Sequence, residues 1–483
     1  MFKKSAVTLE DIKMNKCRVR FAPSPTGIMH IGNVRTALLN YIFALKNNGT
    51  FIVRVEDTDR SRNIDPQISI LNHLEWLDMS YQEGPHVGGS FGPYFQSQRH
   101  EMYETHLETL KKDDVVYRCF CTQEQLEAKR NRQIALKNPP RYDRACAQLS
   151  DLNIQKNLED KTSFVWRMKI DATQSIQFED LGHGTLNFDL KNFSDFAITR
   201  ADGTFTFMFA NCIDDILMQV SHVLRGEDHL TNSVGQVAIM KALNHPIPMF
   251  WHLPILCNIT GKKLSKRDNG FSLEDLKGEG FLPQAILNYL GIIGGSFEKE
   301  ILTLQELADA YNFKNMHTAS QIKYDVEKMK WVNHKWIAQT PINELTQLCK
   351  PFIAQNHDIS QISDEQLSKL IQSIQTDIVV LKDASHLLNF YFNKPVITPE
   401  LLATTIDLST QQKIQTIFNN LQNSLDFGTF FSTAKQQAKD ESISLKDFFS
   451  YFRILTTGHP KGLGIVELEK CLGFEEIKNR IIR

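Results

Sequence analysis

The spacing of hydrophobic and polar positions near the start of the chain predicts a strand, a turn, a helix and a second strand. The apolar segment 17–22 predicts a short strand, and the Pro-Ser-Pro-Thr-Gly run after it predicts a turn. Hydrophobic residues at helical spacing predict a helix over 33–45. Segment 51–56 then predicts a strand that is buried on both faces. This order of elements indicates the start of an open parallel α/β sheet.

The pattern changes twice further along the chain. Between about residue 100 and about residue 195 lie a Cys-containing turn, a basic helix, a Pro-Pro pair and alternating segments such as 164–170. We expect this region to be an α+β insert between two halves of the sheet, because strand-like residues return at 196–198. Beyond about residue 270 the spacing becomes helical, and from 340 to the end nearly all of it is amphipathic helix. The predicted fold class is therefore α/β followed by an all-helical region.

Composition restricts the class of protein without defining its chemistry. A chain of 483 residues, 42% hydrophobic and 23% charged, is typical of a soluble enzyme with two to four domains. We expect no membrane partner, because no apolar run is long enough to span a bilayer. The N-terminus lacks the apolar core of a secretory signal, and eight scattered cysteines suit a reducing compartment, so we expect a cytoplasmic location. A net charge of −2 does not indicate a nucleic-acid binder, although RNA binding needs only a basic face.

Two distant segments carry candidate chemistry. The turn 23–27 leads into a helix N-terminus, where His30 could donate to a phosphate oxygen and Gly32 would allow close approach of a nucleotide. The alternative is a plain strand-to-helix turn. Lys263 and Lys266, in the run KLSKR, could neutralise a leaving pyrophosphate, or could belong to a solvated basic loop. Taken together, the two segments predict adenylation of a carboxylate by ATP.

The same segments, with others along the chain, resemble those of class I aminoacyl-tRNA synthetases and, among them, bacterial glutamyl-tRNA synthetases. The resemblance covers RFAPSPTG (20–27) followed by HIGN (30–33), VRVEDTD (53–59), IDD (213–215), HVLRGEDHL (222–230), KLSKRD (263–268), GFLPQAILNYL (280–290), DVEKMKWVNHKWI (325–337) and TTGHPKGLGIVELEKCLG (456–473). Glutaminyl relatives carry Pro and Glu where this chain has Ala22 and Ser24, and they end in β-barrels rather than helices. The glutamyl branch therefore fits better.

The resemblance implies a reaction, its partners and a domain order. The reaction is ATP-dependent ligation of L-glutamate to tRNA-Glu through a glutamyl-adenylate, with Mg²⁺ accompanying ATP and the protein acting as a monomer. Charging of tRNA-Gln, as well or instead, remains an alternative, as do a non-catalytic tRNA-binding paralogue and a small-molecule nucleotidylyltransferase. The expected domains are a Rossmann-like catalytic domain in two halves (15–100 and 195–255), an acceptor-end-binding insert (101–194), the KLSKR loop with a stem-contact helical domain (256–338), and a helical anticodon-binding region (339–483).

The resemblance also assigns site residues one by one. Arg225 would hold the substrate side chain with help from Arg20, Ala22 and Ser24 would line the pocket, and Glu56 would take the ammonium group. The remaining pocket positions are Phe207 and Asn211, and the ATP positions are Thr26, His30, Gly32, Asn33 and Lys266, with Lys263 beside them. Phe207 departs from the family, which commonly has Tyr there, so one hydroxyl donor to glutamate is absent. Asn33 replaces a His in a mild departure, since the family varies at this position.

A cluster of cysteines in the insert suggests a metal. The spacings of Cys119, Cys121 and Cys146 resemble the zinc site of some family members, and three thiolates make an adequate soft site for Zn²⁺. Tyr142 is the candidate fourth ligand, because Gln148 stands where some relatives have a His. The alternative is a reduced, metal-free cysteine cluster.

Overall fold

The computed structural model describes residues 17–25, 29–58, 67–264, 270, 272–313 and 321–482. The chain divides into two compact units, Met1–Asp275 with Ile286–Val326, and Leu276–Ala285 with Glu327–Arg483. Each unit has its own buried apolar core. The predicted fold class, an α/β region followed by helices, is confirmed.

The first unit begins with the predicted strand, helix and strand. Strand β1 (Arg18–Phe21) pairs in parallel with β2 (Thr50–Val53), and helix α1 (Ile31–Lys46) connects them. The helix is capped by His30, whose ring accepts a hydrogen bond from the backbone N–H of Asn33. Its apolar face, including Leu38, Leu39 and Ile42, is fully buried. The predicted bounds were right to within a few residues.

The second half of the unit adds parallel strands beside β1. Strand β8 (His222–Gly226) pairs in parallel with β9 (Met249–Leu253), and helices α6 (Phe207–Leu217) and α7 (Leu230–Ala242) flank β8 in the chain. The backbone N–H of Ser221 donates to the carbonyl oxygen of Arg18 at 3.0 Å, which brings β8 next to β1. Residues at the carboxyl ends of β1 and β8 therefore lie close together, as they do around the crevice of a parallel sheet.

The region expected as an insert forms two separate sheets. Strands β3 (Val116–Cys119), β4 (Val165–Met168) and β7 (Phe196–Ala197) form an antiparallel sheet. The hairpin of β5 (Ser175–Asp180) and β6 (Gly184–Asp189) instead joins β9, through the pairing of Asp180 with Phe250. This part of the insert thus extends the sheet that carries β8. The helices of the region are α3 (His100–Lys112), α4 (Gln123–Ala135) and α5 (Asp151–Glu159), and helix α2 (Gln67–Trp76) precedes the region in the chain.

The remaining chain is mostly helical, as its spacing predicts. Two short strands, β10 (Ile255–Cys257) and β11 (Gln321–Lys323), pair in parallel. Between them in the chain lie helices α8 (Leu273–Glu279), α9 (Pro283–Ile292) and α10 (Leu304–Ala310). The helices that follow are α11 (Val326–Gln339), α12 (Ile342–Ala354), α13 (Asp364–Ile374), α14 (Asp383–Leu387), α15 (Asn389–Phe392), α16 (Pro399–Ala403), α17 (Leu408–Asn420), α18 (Phe427–Asp440), α19 (Leu445–Thr457), α20 (Ile465–Leu472) and α21 (Phe474–Ile481). Among the described residues, no helix has the length and apolar character needed to cross a membrane.

Candidate active site

A cleft of about 430 Å³ opens at the carboxyl ends of β1 and β8, a volume typical of small-ligand sites. Its walls come from segments that are far apart in sequence. The site residues expected from the sequence that line it are Arg20, Ala22, Ser24, His30, Gly32, Asn33, Glu56, Phe207, Asn211, Arg225 and Lys263. Two others, Thr26 and Lys266, lie outside the described residues. Every described candidate for glutamate or nucleotide binding therefore borders one cavity.

A buried cluster of charges forms part of the cleft wall and the layer behind it. Arg54 is fully buried and donates through Nη1 to Asp215 at 2.8 Å and through Nη2 to Glu56 at 3.0 Å. Asp215 also accepts from Nε of Arg20 at 3.1 Å. Burial raises the pKa of Asp215, but the charges of Arg20 and Arg54 outweigh burial and hold it below the ordinary value. The carboxylate is therefore ionised and keeps both arginines in place.

Arg225 is a buried cation of the cleft with two donor nitrogens left over. Nη2 donates to Ser233 Oγ at 2.5 Å, and the guanidinium carbon lies 5.7 Å from the centre of the Phe250 ring. Within the described part of the chain, Nε and Nη1 of Arg225 are buried without a hydrogen-bond partner. Burial, and then the charge of Arg20, lower its pKa to about 9, so the side chain stays protonated at neutral pH. A buried cation with unused donors is suited to an anionic ligand, because a carboxylate would satisfy both the charge and the N–H groups.

Glu56 gives the cleft a negative group, in contrast to the positive Arg225. This buried carboxylate accepts from Asn211 Nδ2 at 2.5 Å, and Gln236 Nε2 donates to Asn211 Oδ1 at 2.7 Å. Burial raises the pKa of Glu56, against the opposing charge of Arg54. An ammonium group beside it would favour the ionised form. Phe207, at the start of α6, lines the same cleft and packs 5.7 Å from the His229 ring without offering a hydroxyl.

The nucleotide side of the cleft is built on the start of α1. Nδ1 of His30 accepts the Asn33 N–H at 3.3 Å, so the neutral ring carries its proton on Nε2 as a donor. Burial, and then the charge of Lys263, lower the pKa of His30 and keep the ring neutral. Lys263 donates to Asp228 Oδ2 at 3.1 Å in a largely exposed pair. Such pairs are weak, so Lys263 can exchange Asp228 for a phosphate at little cost.

The three cysteines expected at a metal site meet outside this cleft. The sulfur atoms of Cys119, Cys121 and Cys146 all lie within 4.8 Å of one another, and Cys121 and Cys146 are 3.6 Å apart. The Tyr142 hydroxyl lies 3.2 Å from Cys119 Sγ and 3.7 Å from Cys121 Sγ. Two thiolates on a tetrahedral zinc, each about 2.3 Å from the metal, are separated by roughly 3.8 Å. The donor set and its spacing therefore fit a zinc ion.

Comparison with known proteins agrees with this geometry. Residues 16–331 match the catalytic domain of class I tRNA synthetases for E and Q, and residues 344–483 match an anticodon binding domain. The fold and the site thus define a class I aminoacyl-tRNA synthetase.

More specifically, the chain belongs to the glutamate–tRNA ligase family. It is 33% identical to the glutamate–tRNA ligase of Bacillus licheniformis, with 97% of this chain and 99% of that protein aligned. It is 36% identical to glutamate–tRNA ligase 1 of Pseudothermotoga lettingae over 96% of this chain and 98% of that one. A crystal structure of a glutamate tRNA ligase from Elizabethkingia meningosepticum, in complex with its amino acid, superposes with a TM-score of 0.87 at 30% identity, covering 97% and 98% of the two chains.

Several residues that shape the site were given no role by the sequence analysis. Arg54 could have been noticed as a charge inside the apolar run 51–56, and Asp215 as part of the IDD segment. Ser233, His252 and Asp180 occur in unremarkable contexts, yet the fold connects them to Arg225.

Proposed function

We propose that this protein ligates L-glutamate to the 3′ end of tRNA-Glu with ATP, as its family membership implies, and does so in the cytoplasm as a monomer. The observation that carries the proposal is Arg225, a buried cation in the cleft with unpartnered N–H groups on Nε and Nη1. Leaving such donors without an acceptor is costly, and the γ-carboxylate of glutamate is a suitable acceptor. Glu56, held by Arg54 and Asn211, then takes the α-ammonium group.

The first step joins glutamate to AMP. An α-carboxylate oxygen of glutamate attacks the α-phosphorus of ATP, the bond to the β-phosphate oxygen breaks, and pyrophosphate leaves. No general base is needed because the nucleophile is already an anion. His30 donates from Nε2 to a phosphate oxygen at the α1 N-terminus, where backbone N–H groups also favour negative charge. Lys263 and Lys266 neutralise the charge that builds up on the phosphates, with Mg²⁺ bound to ATP.

The second step transfers glutamate to RNA. A terminal ribose hydroxyl of the tRNA attacks the carbonyl carbon of the adenylate and forms the ester. The bond between that carbon and the phosphate oxygen breaks, AMP leaves, and the hydroxyl proton passes to the phosphate of AMP or to solvent. We assign the acceptor end to the insert at 101–194, the contact with the tRNA stem to 256–338, which includes the KLSKR loop, and the anticodon to 339–483. The catalytic halves, 15–100 and 195–255, hold the adenylate. The match of residues 344–483 to an anticodon binding domain supports the last assignment.

We also propose one structural zinc ion, held by Cys119, Cys121, Cys146 and Tyr142. The ion would cross-link β3 to the segment 142–146 and so stiffen the end of the insert. It would take no part in either chemical step.

The test of the proposed function is aminoacylation of purified tRNA-Glu and tRNA-Gln, side by side, with labelled glutamate, ATP and Mg²⁺. We expect labelled tRNA-Glu and no product with glutamine in place of glutamate. Charging of both tRNAs would identify an enzyme that does not discriminate between them, and charging of tRNA-Gln alone would reassign the RNA partner. Protein that charges neither tRNA would contradict the proposal.

A further inference from the structure

Four buried side chains, Arg225 among them, form a hydrogen-bonded line that begins at the bonded nitrogen of Arg225. Its Nη2 donates to Ser233 Oγ at 2.5 Å, and Ser233 Oγ lies 2.7 Å from Nε2 of His252. Nδ1 of His252 lies 2.7 Å from Oδ2 of Asp180. The exposed fractions of these four residues are 6%, 0%, 1% and 3%, so water competes for none of these bonds.

The hydrogen-bond partners define where each proton sits. Asp180 Oδ1 accepts from the backbone N–H groups of Gly182 and His183 at 2.8 and 2.9 Å, and Oδ2 accepts from the backbone N–H of His252 at 3.0 Å. Burial raises the pKa of Asp180, but these bonds and His252 lower it overall. The carboxylate is therefore an acceptor only, and Nδ1 of His252 carries a proton towards it.

The other ring nitrogen of His252 is then an acceptor. Burial lowers the pKa of His252 and keeps the ring neutral, so Nε2 takes the hydroxyl proton of Ser233. The lone pairs of Ser233 Oγ consequently face Arg225 Nη2. A second acceptor for the Ser233 hydroxyl, the carbonyl oxygen of His229, is more distant at 3.3 Å.

The ring of Phe250 packs against two members of this line, His252 and Arg225, and limits their movement. His252 stacks on Phe250 with an angle of 9° between the planes, and Phe250 also lies beneath the Arg225 guanidinium. The guanidinium is thus held from one face by a ring and at one nitrogen by a hydroxyl, which leaves Nε and Nη1 for a ligand.

We propose that His252, oriented by Asp180, is a positioning residue for Arg225 and acts through Ser233 on the affinity of the cleft for glutamate. The proposal rests on the proposed function. It makes the hairpin of β5 and β6 part of the amino-acid site, although the hairpin lines no part of the cleft. Asp180 does not need the His252 ring for its own hydrogen bonds, because three backbone N–H groups already donate to that carboxylate.

Two substitutions of His252 separate positioning from structural support. In His252→Asn the side-chain amide replaces Nδ1 and keeps the contact with Asp180, but it offers Ser233 no acceptor. In His252→Gln the side-chain carbonyl replaces Nε2 and keeps an acceptor for Ser233, but the contact with Asp180 is lost. We expect His252→Asn to raise the KM for glutamate about tenfold or more, with kcat and the KM for ATP changed less than about threefold. We expect the KM for glutamate of His252→Gln to stay within about threefold of wild type.

The reverse order, with His252→Gln impaired and His252→Asn normal, would show that the ring only supports the hairpin and would overturn the proposal. Equal KM values in both variants would overturn it as well. If neither variant folds, Ser233→Ala and Ser233→Thr decide the question. Loss of the hydroxyl should raise the KM for glutamate about tenfold and Thr should restore it, whereas a normal KM in Ser233→Ala would refute the proposal.

The matched control is Ser221→Ala. Ser221 precedes the strand that carries Arg225, and its hydroxyl accepts from the Arg18 N–H at 2.8 Å, outside the cleft. The Ser221→Ala variant should leave the KM for glutamate unchanged.

The aminoacylation assay on wild-type protein separates this proposal from the proposed function. Wild-type protein that charges no tRNA contradicts the proposed function, whereas active wild type with a normal His252→Asn contradicts only the role of His252.

Discussion

Arg54 Nη1 donates to Asp215 Oδ1 across 2.8 Å, and both side chains are buried in the wall behind the cleft. Asp215 is shared with Arg20, so one carboxylate balances two of the arginines near the amino-acid site. Removing its charge would leave two buried cations short of a partner.

Asp215→Asn should therefore destabilise the first unit. We expect the free energy of unfolding to fall by about 3–5 kcal/mol, the usual consequence of breaking a buried ion pair on one side. Urea unfolding followed by circular dichroism measures this change. Glu108→Gln removes one partner of an exposed pair with Lys111 and should leave the unfolding midpoint unchanged. Equal stability of Asp215→Asn and wild type would show that the cluster is not a structural support.

Arg225→Lys keeps a positive charge but loses the planar fork and its contact with Ser233. We expect the KM for glutamate to rise by roughly a hundredfold or more, with a KM for ATP within about threefold of wild type. Arg18→Lys is the control, since Arg18 lies on β1 and pairs with Glu83 rather than bordering the cleft. A KM for glutamate in Arg225→Lys within about threefold of wild type would remove Arg225 from the site.

His222 makes stability depend on pH in a defined window. Burial lowers its pKa from 6.5 to about 4 in the folded protein. Between these values the unfolded chain binds a proton that the folded protein does not, so stability falls as pH falls from 6.5 towards 4. One such histidine contributes a slope of at most about 1.4 kcal/mol per pH unit.

His222→Phe keeps a ring against Phe43 and removes the titration. Unfolding free energies measured across this window should decline less steeply in the variant. Above pH 7 the unfolding free energies of the variant and of wild type should change with pH in the same way. Identical slopes below pH 6.5 would show that His222 is not the group responsible.

Protein purified without added metal should contain about one equivalent of zinc by elemental analysis, bound at the cysteine site. Cys121→Ser should lose most of it and unfold at a lower temperature, because three ligands hold the ion less tightly than four. Cys471→Ser changes a half-buried thiol in the helical unit and should retain the metal. Active, stable wild-type protein with far less than one equivalent would favour the metal-free cluster.

Local sequence patterns were sufficient to predict most of the secondary-structure elements. The periodicity that predicts the first strand, helix and second strand arises from nearest neighbours along the chain, and these elements formed within a few residues of the expected bounds. The hairpin of β5 and β6 shows the limit. Its sequence suggests strands in the insert, but which sheet they join depends on the pairing of Asp180 with Phe250, 70 residues later.

The amino-acid sequence by itself determined the family, the order of elements and the residue types available for binding glutamate and ATP, because these are carried by short motifs. Only the tertiary structure decided how many N–H donors each buried arginine keeps without an acceptor. Arg54 and Arg225 both belong to motifs noted in the sequence, yet Arg54 is bound by Asp215 and Glu56 and leaves Nε without a hydrogen bond. Among the described residues, Arg225 donates to Ser233 and leaves both Nε and Nη1 without one. The difference arises from partners brought together by packing from distant segments, and a buried charge is defined by those partners rather than by its neighbours along the chain.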